Sequence, residues 1–219
     1  MSARVADVMT RDAVAVRASA SFKEIAARLR EQRVTAFPVL DRDNKVIGVV
    51  SEADLLPKEA LEAGYEGHPG PLSVSRHRRE RRKAAAVTAR GLMSRPPVTV
   101  GPYDLVSHAA HLMFDHKVRC LPVLGKDGRL AGMISRADVL SVYGRPDEEI
   151  RREIIDKVIS TEFLASPDRF TVTVADGVVT LGGVPETALA GHQIAGEVRH
   201  MEGVVAVREE FGYFPAAQK

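Results

Sequence analysis

The sequence predicts an α/β (α+β) protein: two copies of one repeated unit, followed by a smaller unit of order αββαβ. Three observations carry this reading. Met9 and Met93, Pro38 and Pro122, and Asp54 and Asp138 are each 84 residues apart, so a segment from about Val8 to Leu56 recurs without a gap. Each copy runs from a short Val-x-Val strand through a helical stretch to two further strands. Beyond the second copy, Asp176-Gly177 stands between two alternating runs, a strong hairpin signal. The boundaries expected are 1–56 for the first copy, 57–88 for a linker with a basic segment, 89–144 for the second copy and 147–214 for the third unit.

Taken in order, the first copy opens with a lead-in at 5–10 and a short strand at 14–16. Ser21-Phe-Lys-Glu24 reads as a capping box, after which Phe22, Ile25, Ala26 and Leu29 fall on one helical face. Strands at 36–40 and 45–50 are joined through Asp-Arg-Asp-Asn, where Asn44 is expected to take the left-handed conformation that Gly128 takes in the second copy. A helix from Glu52 is expected to break at Pro57. Residues 57–75, with Gly64, Gly67, Pro69, Gly70 and Pro71, are a linker by composition. Arg76 to Lys83 then carries a run of cations offset by Glu80, read either as a solvated helix start or as a patch for phosphates or an acidic partner. In the third unit, Ile150, Ile154, Ile155, Val158 and Ile159 mark an amphipathic helix. Strands at 170–174 and 178–182, a helix at about 186–201 and a strand at 204–211 follow.

Composition bounds the function. With 45% apolar and 27% charged residues the chain can bury a real core, and its net charge of +2 supplies no global field for nucleic acid, so specific nucleic-acid binding is not expected. The first sixteen residues hold no apolar core of signal-peptide length, and no run reaches 18 apolar residues; a cytoplasmic protein is expected. The single cysteine, Cys120, cannot form an internal disulfide and aligns with Ala36, which favours packing over nucleophilic chemistry. His108 and His111 stand at i,i+3, but no carboxylate or thiolate pattern completes a metal set around them or His116. No catalytic constellation is legible, so the chain is not expected to be an enzyme.

The repeated element that could carry chemistry is Gly48-Val-Val-Ser51-Glu-Ala-Asp54, echoed by Gly132-Met-Ile-Ser135-Arg-Ala-Asp138. An apolar strand ends at a serine and a helix starts there, which aims a hydroxyl, backbone N–H groups and a carboxylate at one spot. That is either a nucleoside or phosphate cradle or a plain helix cap.

With Val34-Thr-Ala-Phe-Pro-Val-Leu40 and Val118-Arg-Cys-Leu-Pro-Val-Leu124 placed ahead of these elements, the chain over about Val5 to Tyr143 resembles a tandem pair of CBS domains, a Bateman module. The resemblance implies a regulatory ligand-sensing module with adenosine ligands in clefts between the domains. Asp54 and Asp138 match the positions that hold the ribose diol in that family, and Ser51 and Ser135 match those that lie near ribose or phosphate. A carboxylate, acceptor-only, suits two vicinal hydroxyl donors. Val14, Ala36, Phe37, Pro38 and Val98, Cys120, Leu121, Pro122 match the apolar walls around adenine. AMP, ADP, ATP or S-adenosylmethionine is the implied ligand. Arg119 aligns with Thr35 and Arg136 with Glu52, so a cleft lined by both arginines is expected to favour the more phosphorylated nucleotide.

The third unit, with Asp-Gly-Val-Val-Thr-Leu-Gly-Gly-Val and a terminal Gly-Val-Val-Ala-Val, resembles a BON domain. That resemblance implies an interaction role toward an unidentified protein partner or a phospholipid surface. CBS pairs also form half of a four-domain disc, which implies a homodimer. A structural adaptor with unoccupied clefts remains the alternative.

Overall fold

The structure, a computed structural model, describes residues 3–62 and 81–212, the side chains of 59–62 excepted. Gly64 to Pro71 of the expected linker, Arg76 to Glu80 of the basic run, and residues 213 and 214 of the third unit lie outside the described residues. The chain forms two compact units: Met9–Arg136, and Met1–Val8 together with Ala137–Lys219.

A short helix α1 (Val5–Val8) belongs to the latter unit, and β1 (Thr10–Arg11) opens the former. In the first copy β2 (Val16–Arg17) leads into α2 (Phe22–Gln32), then β3 (Ala36–Leu40) and β4 (Val46–Ser51), with β2 parallel and β4 antiparallel to β3. Val14, expected to open this strand, lies outside β2 and is 43% exposed. The Glu24 amide donates to Ser21 Oγ at 3.2 Å, which starts α2, and Arg33 ends it with a φ of 53°. Ile25 and Leu29 of α2 pack with Phe37, Val39 and Val50. The turn between β3 and β4 places Asn44 at φ 63°, and Gly128 takes φ 73° in the second copy, as expected.

Helix α3 (Glu52–Glu62) runs through Pro57 instead of breaking there. The amide that Pro57 lacks would have bonded the Ala53 carbonyl, and both residues line a cleft where solvent can replace that donor. The second copy repeats the plan with α4 (Ala89–Leu92), α5 (Val106–Asp115), β5 (Cys120–Leu124) and β6 (Leu130–Ser135), and α6 (Arg136–Leu140) follows. β5 and β6 pair in the register of β3 and β4, down to the irregularity before the last pair.

The copies exchange their lead-in segments. Ser94 pairs with Val49 of the first copy, while Thr10 pairs with Met133 of the second, the same contact moved by one repeat. Likewise Ala89, Leu92 and Met93 are buried in the first copy's core. Lys45 bridges to Arg129, its own equivalent, so a local two-fold axis passes between the hairpins. The sequence pattern explains the exchange: Gly48 and Gly132 have no Cβ, and the incoming chain lies where one would stand.

The other unit folds around α7 (Asp147–Glu153) and a π-helical continuation, Ile154–Glu162. β7 (Phe170–Ala175), β8 (Val178–Gly183), α8 (Ala188–Arg199) and β9 (Ala206–Phe211) complete an αββαβ order with sheet order β7-β8-β9. Ile150, Ile154, Val158 and Ile159 pack on Val172, Val179, Leu181 and Ile194. In the β7–β8 turn Asp176 and Gly177 both take positive φ, 51° and 73°, and their amides donate to the Asp147 carboxylate at 2.8 and 2.9 Å. Gly183 stands between Phe170 and Phe211 in the ladder, and the two rings meet edge to face across it, 6.3 Å apart. Gly182 and Gly183 therefore end β8.

Candidate functional site

Asp54 is the second residue after α3 opens, and its carboxylate turns back to the strand end. Ser51 donates to Asp54 Oδ2 twice, from its amide at 2.7 Å and its hydroxyl at 2.8 Å. The strand-to-helix junction thus fixes the acid, so the helix cap and the carboxylate cradle are one arrangement. Asp54 is only 8% exposed, and Oδ1, its other oxygen, faces Lys83 and Ser94. Lys83 Nζ forms an ion pair with Oδ1 and donates to Ser94 Oγ at 3.1 Å; Ser94 Oγ donates to Oδ1 at 3.4 Å. Lys83 itself is 8% exposed, whereas Arg81 and Arg82 of the same helical turn are exposed.

Around this group lies a cleft of about 630 Å³ within the unit Met9–Arg136, in the size range of small-ligand sites. Thr35, Ala36 and Val49 line it from the first copy, and Val98, Val118 and Cys120 from the second. One cleft therefore combines the first copy's Asp54 with apolar walls from both copies. Its cations Lys83, Arg95, Lys117 and Arg119 outnumber the carboxylates Glu52 and Asp54, so an anionic ligand fits its charge. The Cys120 thiol is pushed up to about 11, by burial first and then by the Asp54 charge.

Ser51, Asp54, Ala36, Val98, Arg119 and Cys120 of the sequence-derived set meet in this cleft. Phe37 and Leu121 do not: strand alternation turns both into the core at 1% and 0% exposure, and Arg28 covers the Phe37 ring at 5.4 Å. Pro38 and Pro122 are buried in β3 and β5, paired with Val49 and Met133, outside the cleft lining. Val14 is not part of the lining either. Arg136 is also absent from it: its Nε and Nη2 donate to the Val118 carbonyl at 3.1 and 3.0 Å, so the two arginines do not share this cleft as expected. A carbonyl two residues from Cys120 holds that guanidinium in place. Ser135 ends β6 in the unit Met9–Arg136, while Asp138 falls in the other unit, where its carbonyl accepts from Ser141 Oγ at 2.6 Å.

Lys83, Ser94 and Lys117 are cleft residues that sequence reasoning missed. Lys83 was legible only as part of a basic run, and Ser94 only as the equivalent of Thr10. His108 and His111 are exposed on α5, with His111 3.1 Å from Asp115; among the described residues no group of three or more metal-ligating side chains lies together.

Among the described residues no helix is long and apolar enough to cross a membrane. Comparison with known proteins agrees with the duplicated architecture. The CBS domain family matches residues 5–59 and 89–145, just over half of the chain. CBS domain-containing protein CBSX1, chloroplastic, from Arabidopsis thaliana is 30% identical over 146 residues, covering 62% of this chain and 62% of that protein. The chain thus spans under two-thirds of that relative's length. The crystal structure of CBSX2 in complex with AMP superposes with a TM-score of 0.55 at 28% identity, covering 63% of this chain and 94% of that one. The CBS domain pair of protein MJ0100, solved with 5-methylthioadenosine and S-adenosyl-L-methionine, shares the fold at a TM-score of 0.52 and 19% identity, covering 66% of this chain and 98% of that one. With both copies matched, the chain belongs to the CBS domain family.

Proposed function

We propose that this chain is a regulatory binding module that takes an adenosine-containing nucleotide in the cleft at Asp54. The observation that carries the reading is the buried Asp54 carboxylate, held by two donors from Ser51 in a cleft with apolar walls. A carboxylate so placed is an acceptor for a vicinal diol, and Ala36, Val49 and Val98 offer an apolar surface for a base. The AMP complex of CBSX2, at 28% identity, supports an adenosyl ligand. The cationic excess supports a phosphorylated one. Asp138 with Ser135 is the proposed equivalent acceptor of the second copy.

The role is binding and not catalysis. Cys120, which brings a sulfur nucleophile to the cleft wall, is held as the neutral thiol, the wrong form for attack at neutral pH. The αββαβ order from Asp147 supports reading the third unit as a BON domain that passes the ligand signal to a protein partner. A cytoplasmic homodimer is the assembly we assign to it. The Lys83–Asp54 pair favours one alternative, an adaptor whose cleft is filled from within.

Calorimetric titration with AMP, ADP, ATP, S-adenosylmethionine and a guanine nucleotide control tests the reading. Saturable heat with the adenine nucleotides and none with the guanine control is expected; no heat with any of them favours the adaptor.

A further inference from the structure

We infer that Lys83 is a displaceable internal occupant of the diol site and thereby a specificity-determining residue, one that selects anionic adenosyl ligands over neutral or cationic ones. The inference rests on the proposed ligand reading and adds a residue from outside both repeated copies.

The argument starts from hydrogen-bond capacity. A carboxylate offers about four lone-pair positions on its two oxygens. Both donors on Asp54 Oδ2 come from Ser51, one of them a backbone amide that the strand-to-helix junction holds in place. Oδ1 is taken by Lys83 Nζ and Ser94 Oγ. A vicinal diol can therefore reach Asp54 only by replacing the donors on Oδ1. Of those donors, Lys83 is the one on a long flexible stem, whereas the Ser94 backbone is pinned by its exchanged pairing with Val49. Lys83 is thus the group that leaves.

What happens to its charge decides selectivity. An ammonium moved from a buried ion pair needs another anion or water. A ligand phosphate supplies that anion next to Arg95, Lys117 and Arg119, which already make the cleft cationic. A neutral nucleoside offers nothing, and a sulfonium ligand adds a like charge. The ammonium that blocks the diol site therefore becomes a phosphate donor once it is displaced, and only phosphorylated ligands regain what the ion pair gave up.

The experiment compares wild type with Lys83→Met, close in length and uncharged, titrating adenosine, AMP, ADP and S-adenosylmethionine. Adenosine affinity should rise by about tenfold or more in Lys83→Met, and the preference for ADP over adenosine should shrink by a similar factor. Lys83→Arg, which keeps the charge, should retain the wild-type order of ligands and guards against a folding artefact. A direct readout is acetylation of Lys83 by an amine-reactive reagent, followed by mass spectrometry: slow in the protein alone, faster with saturating adenosine, and slow again with saturating ADP. If adenosine and ADP bind wild type and Lys83→Met with the same affinities, and the acetylation rate does not change with ligand, the inference is overturned while the ligand reading stands. If no adenosyl ligand binds either protein, the ligand reading itself fails and takes this inference with it. Binding of adenosine to Lys83→Met alone would be its strongest support.

Discussion

Gly48 lies directly under the Met93 side chain, so close that a Cβ on the glycine would sit 2.6 Å from the sulfur and 2.8 Å from the Ser94 carbonyl oxygen. The equivalent Gly132 stands in the same way against Thr10 and Met9. These contacts let each lead-in segment pair with the opposite copy's sheet, and Ser94 reaches Asp54 by this route.

Gly48→Ala should therefore destabilise the protein by about 1–3 kcal/mol, because the obstacle includes backbone that cannot swing away. Gly196 in α8 is the contrast, since a Cβ there would meet no heavy atom within 4 Å. Gly196→Ala should stabilise by up to about 1 kcal/mol. Urea unfolding of both variants checks the pair; equal effects would show that the close approach does not matter.

Asp54→Ala should weaken adenine-nucleotide binding by about 1.5–3 kcal/mol, the range for hydrogen bonds to a charged group. Lys83 lines the cleft, from which solvent can reach an ammonium released by Asp54, so the stability loss should stay below the roughly 3–5 kcal/mol of a charge trapped without a partner. Calorimetry beside a denaturation curve separates the two effects. Undiminished affinity in the Asp54→Ala, Asp138→Ala double variant would remove both acids from the ligand site.

Cys120 should alkylate slowly at pH 7.5 and show a rate that rises with pH toward its value of about 11. The sign for stability follows from the same displacement. A thiol held above its ordinary 9.0 contributes fully below that pH and loses its contribution as pH rises from about 9 to about 11, because the unfolded chain ionises first. Cys120→Ala should flatten the fall in stability over that window.

Glu153 sets an acid limit on the unit built around α7. Burial alone would raise its carboxyl, but hydrogen bonds from Lys157 and from Arg145, each at 2.7 Å, outweigh that and hold it below the ordinary 4.5. A depressed carboxyl stabilises above its unfolded value and loses the contribution as pH falls through the folded one. Arg145→Ala should accordingly lower the melting temperature at pH 7 and make little difference at pH 3. An equal loss at both would assign Arg145 to packing, or to its bond with the Glu202 carbonyl at 3.2 Å.

Self-association is expected through the unit Met9–Arg136, which exposes large apolar side chains such as Phe114 at 81% and Leu56 at 64%. Light scattering should give twice the chain mass across concentrations. A monomer throughout would leave those side chains without that role.

The sequence by itself determined whatever depends on local rules or on repetition. The 84-residue duplication, the Ser21 cap, the left-handed turns at Asn44 and Gly128 and the Asp176-Gly177 hairpin are all set by residues within a few positions of each other or by copying. The Ser51–Asp54 geometry belongs with them, since a strand end running into a helix start needs only four residues. Tertiary structure decided what shares a cleft with Asp54. Strand alternation alone cannot say which copy faces which, so Ala36 and Val98 had to be brought together by the exchange of lead-in segments, and Phe37 and Leu121 by their burial were withdrawn from the cleft. Lys83 was beyond reach for a plainer reason. It lies 29 residues from Asp54, outside the repeated segment and at the end of a run of cations. No periodicity marks Lys83, rather than Arg81 or Arg82 beside it, as the cation whose backbone position lets it bury its charge against an acid.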